Sequence, residues 1–449
     1  MKSTSLKLLT LLALTALILA ACAQATPTEA PKVEEVEPTA PPSEEGEQPT
    51  EAPPPAAEEV TLTIGYTASI TGKYEVSSAA QVNALMLWMD QINAAGGVVL
   101  SDGTIVKFDH VFYDDESNAE RVQELYTRLA TEDDADFLIS PYSSGLTSAA
   151  SVMAEQYEKV MITTGAADDL NYMQGYTQVF QTYTPSSRYL TGAVDLLAVV
   201  DPSVTKIAFV YENDKFSTSV VTAAKDYAEG LGYEIVLFEG YDSETTDFAP
   251  FINKIEAAAP EAIMGGGHRV DGKAFALQLY EKGTSVNFYA LLVAPPEPEF
   301  AELGDAAVGV IGPSQWEPLF ATSPEAAAEA GLEWFGALGA EFTDAYVAKT
   351  GAEPSYHAAG GYAAGLMLEK AIRDADSIDP AAIKAALENM DLLTFYGHIK
   401  FDTSAEAHGL QIGHSMVYIQ WQRDEAGNLV KQVVWPLEGA TAETIYPLR

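Results

Sequence analysis

Residues 60–97 read VTLTIGYTASITGKYEVSSAAQVNALMLWMDQINAAGG. The period of the pattern changes once along this stretch. Thr61–Tyr66 is a short apolar run predicted as a strand, and Ser78–Ala95 is predicted as a helix because Val82, Leu85, Met86, Met89 and Ile92 share one face. Gly96-Gly97 supplies the stop. The alternation continues with a strand at Ile105–Tyr113, a helix at Asn118–Thr131, a strand at Phe137–Ser140, a helix at Leu146–Glu158 and a strand at Val160–Thr163. It then restarts. Strands at Lys206–Tyr211, Glu234–Phe238, Ala262–Met264 and Phe288–Leu292 alternate with helices at Ser217–Leu231, Phe248–Ala259 and Gly272–Lys282. Such order implies an α/β fold of parallel sheets flanked by helices, with right-handed crossovers, and two successive sets imply two lobes. The last third reads as helices at Glu325–Thr350, Tyr356–Ala375 and Pro380–Met390, then strands at His398–Phe401, Ser415–Trp421 and Leu429–Trp435. Elements that follow two complete sets imply that the chain returns to finish each lobe, so that several crossings form a hinge.

The N-terminus has a different character. Lys2 and Lys7 precede an apolar run that ends in Leu19-Ala20-Ala21-Cys22. A charged start, an apolar middle and a small-residue cleavage site describe a secretory signal over residues 1–21, too short for a permanent span. Leu-Ala-Ala-Cys is similar to the bacterial lipobox, which implies lipidation of Cys22, the single cysteine of the chain. No disulfide or thiolate metal cluster can then form. Residues 23–59 are dominated by Pro, Glu, Ala and Thr without apolar periodicity. With Cys22 they are expected to form a disordered, extended tether over 22–59.

The roughly 390 residues that follow suffice for two domains of about 100–200 residues each. A net charge of −41 repels nucleic acid and anionic lipid headgroups, and loss of Lys2 and Lys7 with the signal makes it more negative still. The acidity is read as a solubility device that names no ligand. Gly265-Gly266-Gly267-His268 follows a strand, but Val270 stands where a dinucleotide fingerprint needs its third glycine. Neither a phosphate-binding glycine loop with Lys-Ser/Thr nor His-Glu-x-x-His occurs. Gly413-His414-Ser415-Met416-Val417 lacks the final glycine of a nucleophile elbow, and His414 and Ser415 are assigned to a sheet face. No catalytic residue, metal ligand or cofactor is expected.

In open α/β sheets ligands bind beyond the carboxyl ends of the strands. The loops there are Thr67–Tyr74, Pro141–Gly145 and Thr164–Asp169, and their small hydroxyl residues and glycines at helix starts suit a carboxylate. At Ile70-Thr71-Gly72-Lys73-Tyr74, Ile92–Gly97, Tyr113-Asp114-Asp115, Tyr142–Gly145, Gly165-Ala166-Ala167, Gly175-Tyr176, Val179–Thr182, Pro354–Gly365 and Phe395–Asp402 the chain resembles the branched-chain amino acid (leucine/isoleucine/valine)-binding type of periplasmic binding protein. The resemblance covers nearly all of 60–449. It implies a type I fold of two Rossmann-like lobes joined by three crossovers, with 60–184 plus 317–400 as one lobe and 185–316 plus 401–449 as the other.

The resemblance implies ligand contacts residue by residue. Ser143 and Ser144 match the loop that takes the ligand carboxylate, although either serine also suits a helix cap. Gly165, Ala166, Ala167 and Asp168 match the next loop, without its expected hydroxyl residue; Asp168 either accepts the ligand ammonium or caps the next helix. Tyr74 and Phe216 match aromatics over the ligand side chain, with ordinary core as the alternative. His268, beside Arg269, matches a contact position after the Gly-rich strand. Glu297 is the nearest match to the family's acidic residue for the ammonium.

The resemblance thus implies a non-enzymatic solute-binding protein of an ABC importer. It would be exported to the cell envelope, held at the outer face of the cytoplasmic membrane or in the periplasm, with membrane contact through the lipid alone. It would be monomeric, would bind a small amino-acid-like ligand (a branched-chain amino acid first) and would deliver it to a membrane permease. An amide, urea or an organic acid as ligand, a sensory receptor of the same fold, and a secreted hydrolase are the alternatives.

Overall fold

The computed structural model describes residues 58–320 and 322–448. The expected signal at 1–21, Cys22 and the tether up to residue 57 lie outside the described residues. Glu59, placed at the end of the tether from the sequence, instead opens the first strand. No described helix is long and apolar enough to cross a membrane.

The first sheet and its helices comprise β1 (Glu59–Ala68), α1 (Glu75–Ala94), β2 (Val98–Val99), β3 (Ile105–Asp114), α2 (Ala119–Thr131), β4 (Phe137–Ile139), α3 (Ser144–Gln156), β5 (Met161–Thr163) and β6 (Val179–Gln181). Strand order is β2-β3-β1-β4-β5-β6, parallel except at β2. Phe137-Leu138-Ile139 and Met161-Ile162-Thr163 are buried at every position, as strands of a parallel sheet covered on both faces must be. Asn118 accepts a hydrogen bond from the Arg121 N–H at 3.0 Å and so fixes the start of α2, whose Val122, Leu125, Tyr126 and Leu129 face inward.

The second sheet is reached through α4 (Thr191–Val200). It continues with β7 (Lys206–Glu212), α5 (Lys215–Gly230), β8 (Glu234–Tyr241), α6 (Ala249–Ala258), β9 (Ala262–Gly266), α7 (Arg269–Glu281), β10 (Phe288–Leu291) and β11 (Ile311–Ser314). The chain then returns through α8 (Pro324–Ala330), β12 (Glu333–Trp334), α9 (Gly339–Thr350), α10 (Tyr356–Ala375), α11 (Pro380–Glu388), β13 (Asp391–Thr394) and β14 (Gly397–Lys400). β12, β13 and β14 form a small separate sheet. Finally β15 (Val417–Arg423) and β16 (Leu429–Trp435) pair antiparallel onto β11, completing the order β16-β15-β11-β10-β9-β7-β8.

The core of the first sheet is completed from the far end of the chain. α10 is buried from Tyr356 to Ile372, and it shares one apolar core with Leu62, Ile64, Trp88 and Phe108. The helix expected over Glu325–Thr350 is two helices separated by β12. Gly331 ends α8 in the left-handed conformation (φ 70°), and Gly336 follows at φ 91°, so helical continuity is lost between them. His414 and Ser415, assigned to a sheet face, lie in the loop before β15.

Candidate functional site

The loops at the carboxyl ends of the two sheets face each other, and the residues expected there fall into two groups. The first is a ring-lined interior. Tyr74 follows β1, Tyr142 follows β4, Phe216 starts α5, and His268 separates β9 from α7. The Tyr142 ring stands edge-on to Tyr74 (5.4 Å between centroids), to His268 (5.8 Å) and to His357 (4.9 Å). Tyr74 meets His268 at 5.0 Å, and Phe216 meets His268 at 5.6 Å. The hydroxyl of Tyr142 hydrogen-bonds His268 Nδ1 at 3.2 Å, across from the first sheet to the second.

The environment sets the charge of each titratable group here. His268 Nε2 lies 2.7 Å from Asp214 Oδ2, and the other oxygen of Asp214 caps α5 by accepting from the Ser217 N–H at 2.7 Å. Burial opposes charge on His268, yet the Asp214 carboxylate outweighs it and holds the imidazole above its ordinary pKa. Asp214→Asn leaves burial far less opposed, so the His268 pKa is expected to fall below that of an ordinary histidine; an NMR titration with an unmoved midpoint would contradict this pairing.

Glu297 follows β10, and its Oε1 is 3.2 Å from Nε2 of His357 on α10. Neither atom has a hydrogen-bond partner among the described residues, and both side chains are buried. Burial, assisted by Glu299, pushes the Glu297 carboxyl up to about 8. Burial pushes His357 down to about 3, and its Nδ1 hydrogen-bonds the Tyr183 hydroxyl at 2.8 Å. At neutral pH the pair is therefore an uncharged carboxyl beside an uncharged imidazole.

The second group stitches loops together. Ser143, at φ 87°, caps α3 by accepting from the Leu146 N–H at 3.2 Å. Ser144 Oγ accepts from the N–H groups of Ala167 (3.2 Å) and Asp168 (3.1 Å), which ties the loop after β4 to the loop after β5. Gly165 packs on Tyr142: a Cβ there would fall 2.8 Å from its ring. The Ala166 carbonyl accepts from Gln181 Nε2, and the Ala167 carbonyl accepts from the Ser186 N–H. Asp168 accepts from the Leu170 N–H (3.2 Å) and the Ser219 hydroxyl (2.9 Å), and Lys215 Nζ stands 3.6 Å from its other oxygen. Lys215 also donates to Ser148 Oγ (2.8 Å) and Asn171 Oδ1 (2.7 Å). Of the two roles open to Asp168, capping is realised, and an ammonium of the chain itself already stands beside it.

Tyr142, His357, Lys215 and Asp214 were not singled out from the sequence. His357 sits in the stretch Ser355-Tyr356-His357-Ala358-Ala359, where a histidine in the first turn of a helix with no other charged or titratable residue but tyrosine before Glu369 is the signal that marks it.

Comparison with known proteins bears on this arrangement. A family model described as periplasmic binding protein matches residues 61–427. Leu/Ile/Val-binding protein homolog 8 of Brucella abortus (strain 2308) is 25% identical over 396 residues, spanning 83% of this chain and 90% of that protein. Homolog 7 of Brucella melitensis is 23% identical over 402 residues, spanning 88% and 95%. Among solved structures, the branched-chain amino acid transporter substrate binding protein LivJ from Streptococcus pneumoniae in complex with isoleucine superposes with a TM-score of 0.66 at 21% identity, covering 84% of this chain and 99% of that one. A solute binding protein of an ABC transporter from Rhodopseudomonas palustris BisB5, in complex with 3,4-dihydroxy benzoic acid, gives 0.68 at 19% identity, covering 86% and 98%.

Proposed function

We propose, for a chain that belongs to the periplasmic binding protein family, that it is the extracytoplasmic solute-binding component of an ABC importer. It captures one small amino-acid-like molecule between its two sheets and hands it to a membrane permease. The lobes are 60–184 plus 317–400 and 185–316 plus 401–449, Cys22 carries the lipid, and the body works as a monomer without catalysis. The observation that carries this reading is the meeting of Tyr74, Tyr142 and His357 from one side with His268 and Glu297 from the other. Buried polar atoms without partners cost about 1–3 kcal/mol each unless something supplies the bond. Glu297 Oε1 and His357 Nε2 face each other at 3.2 Å and form no hydrogen bond with any other described residue. A ligand that touches both lobes only when they are shut shifts the opening equilibrium by its differential affinity.

A branched-chain amino acid is the first candidate, in keeping with the names of the Brucella relatives and of LivJ. Its ammonium is assigned to Glu297 rather than Asp168, because Lys215 already stands beside Asp168. Its carboxylate is assigned to Ser144 and neighbouring N–H groups, its side chain to Tyr74 and Phe216. An aromatic organic acid is the second candidate, favoured by the tyrosine- and histidine-rich lining and by the neighbour solved with 3,4-dihydroxy benzoic acid.

Ser144→Ala is expected to weaken solute binding by roughly 1–3 kcal/mol, because two buried N–H groups lose their acceptor and the loop is freed. Calorimetry returning wild-type affinity would remove Ser144 from the site. The reading as a whole is tested by thermal unfolding of the full chain against amino acids, amides, urea and organic acids. A ligand at about 100 times its Kd adds roughly 2.7 kcal/mol. A stabilising shift with leucine, isoleucine or valine supports the first candidate, a shift with aromatic acids alone supports the second, and no shift with any of them counts against both.

A further inference from the structure

At the rim of the second sheet, Glu212, Asp214 and His268 gather so that one ligand-competent atom from each lies within 4.8 Å of the others. Glu212 ends β7 and Asp214 caps α5, while His268 opens α7 after the neighbouring strand β9. Gly267 makes room for them: a Cβ there would fall 2.5 Å from Glu212 Oε2 and 2.3 Å from Asp271 Oδ2. Ser217, fully buried, donates its N–H to Asp214 beside the cluster. A cavity of about 260 Å³ opens beside the cluster and is walled by Lys73, Glu212, His268 and Asp271 among others.

Buried carboxylates must be paired or must coordinate a cation. The cation here comes from the opposite sheet: Lys73, in the loop after β1, places Nζ 2.5 Å from Glu212 Oε1. An imidazole nitrogen with two carboxylates is also a zinc-type ligand set.

We propose that Glu212, Asp214 and His268 form a binding site for a divalent transition ion of the zinc type, which the Lys73 ammonium and the ion occupy in exchange. When the sheets part, Lys73 leaves with the first sheet and the ion takes its place; when the ion is bound, Lys73 cannot seat. Ion and closure are then mutually exclusive, and each weakens the other to the same extent. This coupling rests on the solute-driven closure proposed above, whereas ion binding itself does not.

The test is titration of the full chain with Co²⁺, read by its visible absorption. The Lys73→Met variant is expected to take one Co²⁺ about tenfold more tightly than the wild type, because the competing ammonium is gone. His268→Gln and Asp214→Asn are expected to lose the site. Thermal unfolding establishes that each variant is folded, and if Asp214→Asn is not, His268→Gln alone decides. Binding to Lys73→Met no tighter than to the wild type, or binding retained in folded His268→Gln, would overturn the proposal, since the ion would then merely be spread over an acidic chain of net charge −41. Saturating isoleucine is expected to weaken Co²⁺ binding in the wild type and not in Lys73→Met. Failure of that arm alone counts against the solute reading and leaves the ion site standing.

Discussion

Glu297→Gln is expected to weaken binding of an ammonium-bearing solute by at least about 30-fold, roughly 2 kcal/mol, the loss when a buried charged partner is removed. The same change is expected to make the unliganded protein more stable above pH 5. In the folded chain burial keeps the Glu297 carboxyl protonated up to about 8, against an ordinary value of 4.5. Between those two pH values the unfolded chain has released the proton and the folded chain still holds it. The folded state binds more protons, so stability falls as pH rises through the window. Glutamine cannot ionise, so the gap in stability between variant and wild type opens above about pH 4.5, is complete by about pH 8, and closes below pH 4.5. An ammonium placed against Glu297 drives the proton off, so wild-type affinity for such a ligand rises with pH and levels off near pH 8. Denaturant unfolding at pH 5 and pH 8, with calorimetry at both, reads all of these effects. Equal stability gaps at the two pH values would remove burial as the cause. An unchanged affinity would remove Glu297 from the site.

The second large effect concerns the fold. Gly361 and Gly365 lie four residues apart on α10, on the face that crosses α1. A Cβ at Gly361 would fall 2.1 Å from the Gln81 carbonyl oxygen, and one at Gly365 would fall 2.2 Å from the Trp88 ring. Trp88 cannot step aside, since it is buried and donates its indole N–H to Glu369 at 3.0 Å. Alanine gains up to about 1 kcal/mol of helix propensity over glycine, but overpacking at a fixed backbone costs more. Gly361→Ala and Gly365→Ala are therefore each expected to destabilise by about 2–3 kcal/mol net. Gly230, at the end of α5, has open space around its Cβ position. Gly230→Ala is expected to be neutral or stabilising by up to about 1 kcal/mol. Thermal unfolding of the three variants separates the accounts: equal behaviour at all three positions would show that the α1–α10 approach does not depend on glycine.

Much of the architecture was legible in the sequence because the long elements carry strong periods. Val82 to Ile92 announces α1, and the strands at Lys206–Tyr211 and Leu429–Trp435 are bounded by clear polar stretches. What escaped notice lacks such a signal. α4, Thr191–Val200, is apolar almost throughout, so no face stands out. β11 contains Gly312 and Pro313, which argue against a strand until β15 is found paired with it. The break at Gly331–Gly336 is masked in the sequence by the helix-favouring alanines and glutamates that flank it.

The site was legible as a set of loops and not as a set of partners. The rule that ligands gather at strand ends, together with the family resemblance, led to Tyr74, His268 and Glu297, which the fold brings into one interior. That Glu297 would meet His357 depends on how two sheets face each other, and no local pattern carries that. The pairing of Lys215 with Asp168 is likewise a contact between sheets.

The central claim is that a small solute closes the two sheets on each other. The most direct test is the distance between spin labels on cysteines placed at Ile70, exposed beyond β1, and at Leu277, exposed on α7 of the second sheet, in a chain with Cys22 replaced by serine. The solute that raises the unfolding temperature is expected to shorten and narrow the distance distribution in this chain, and to leave it broad when Glu297→Gln is added. A distribution that does not move while calorimetry shows the solute bound would contradict the account.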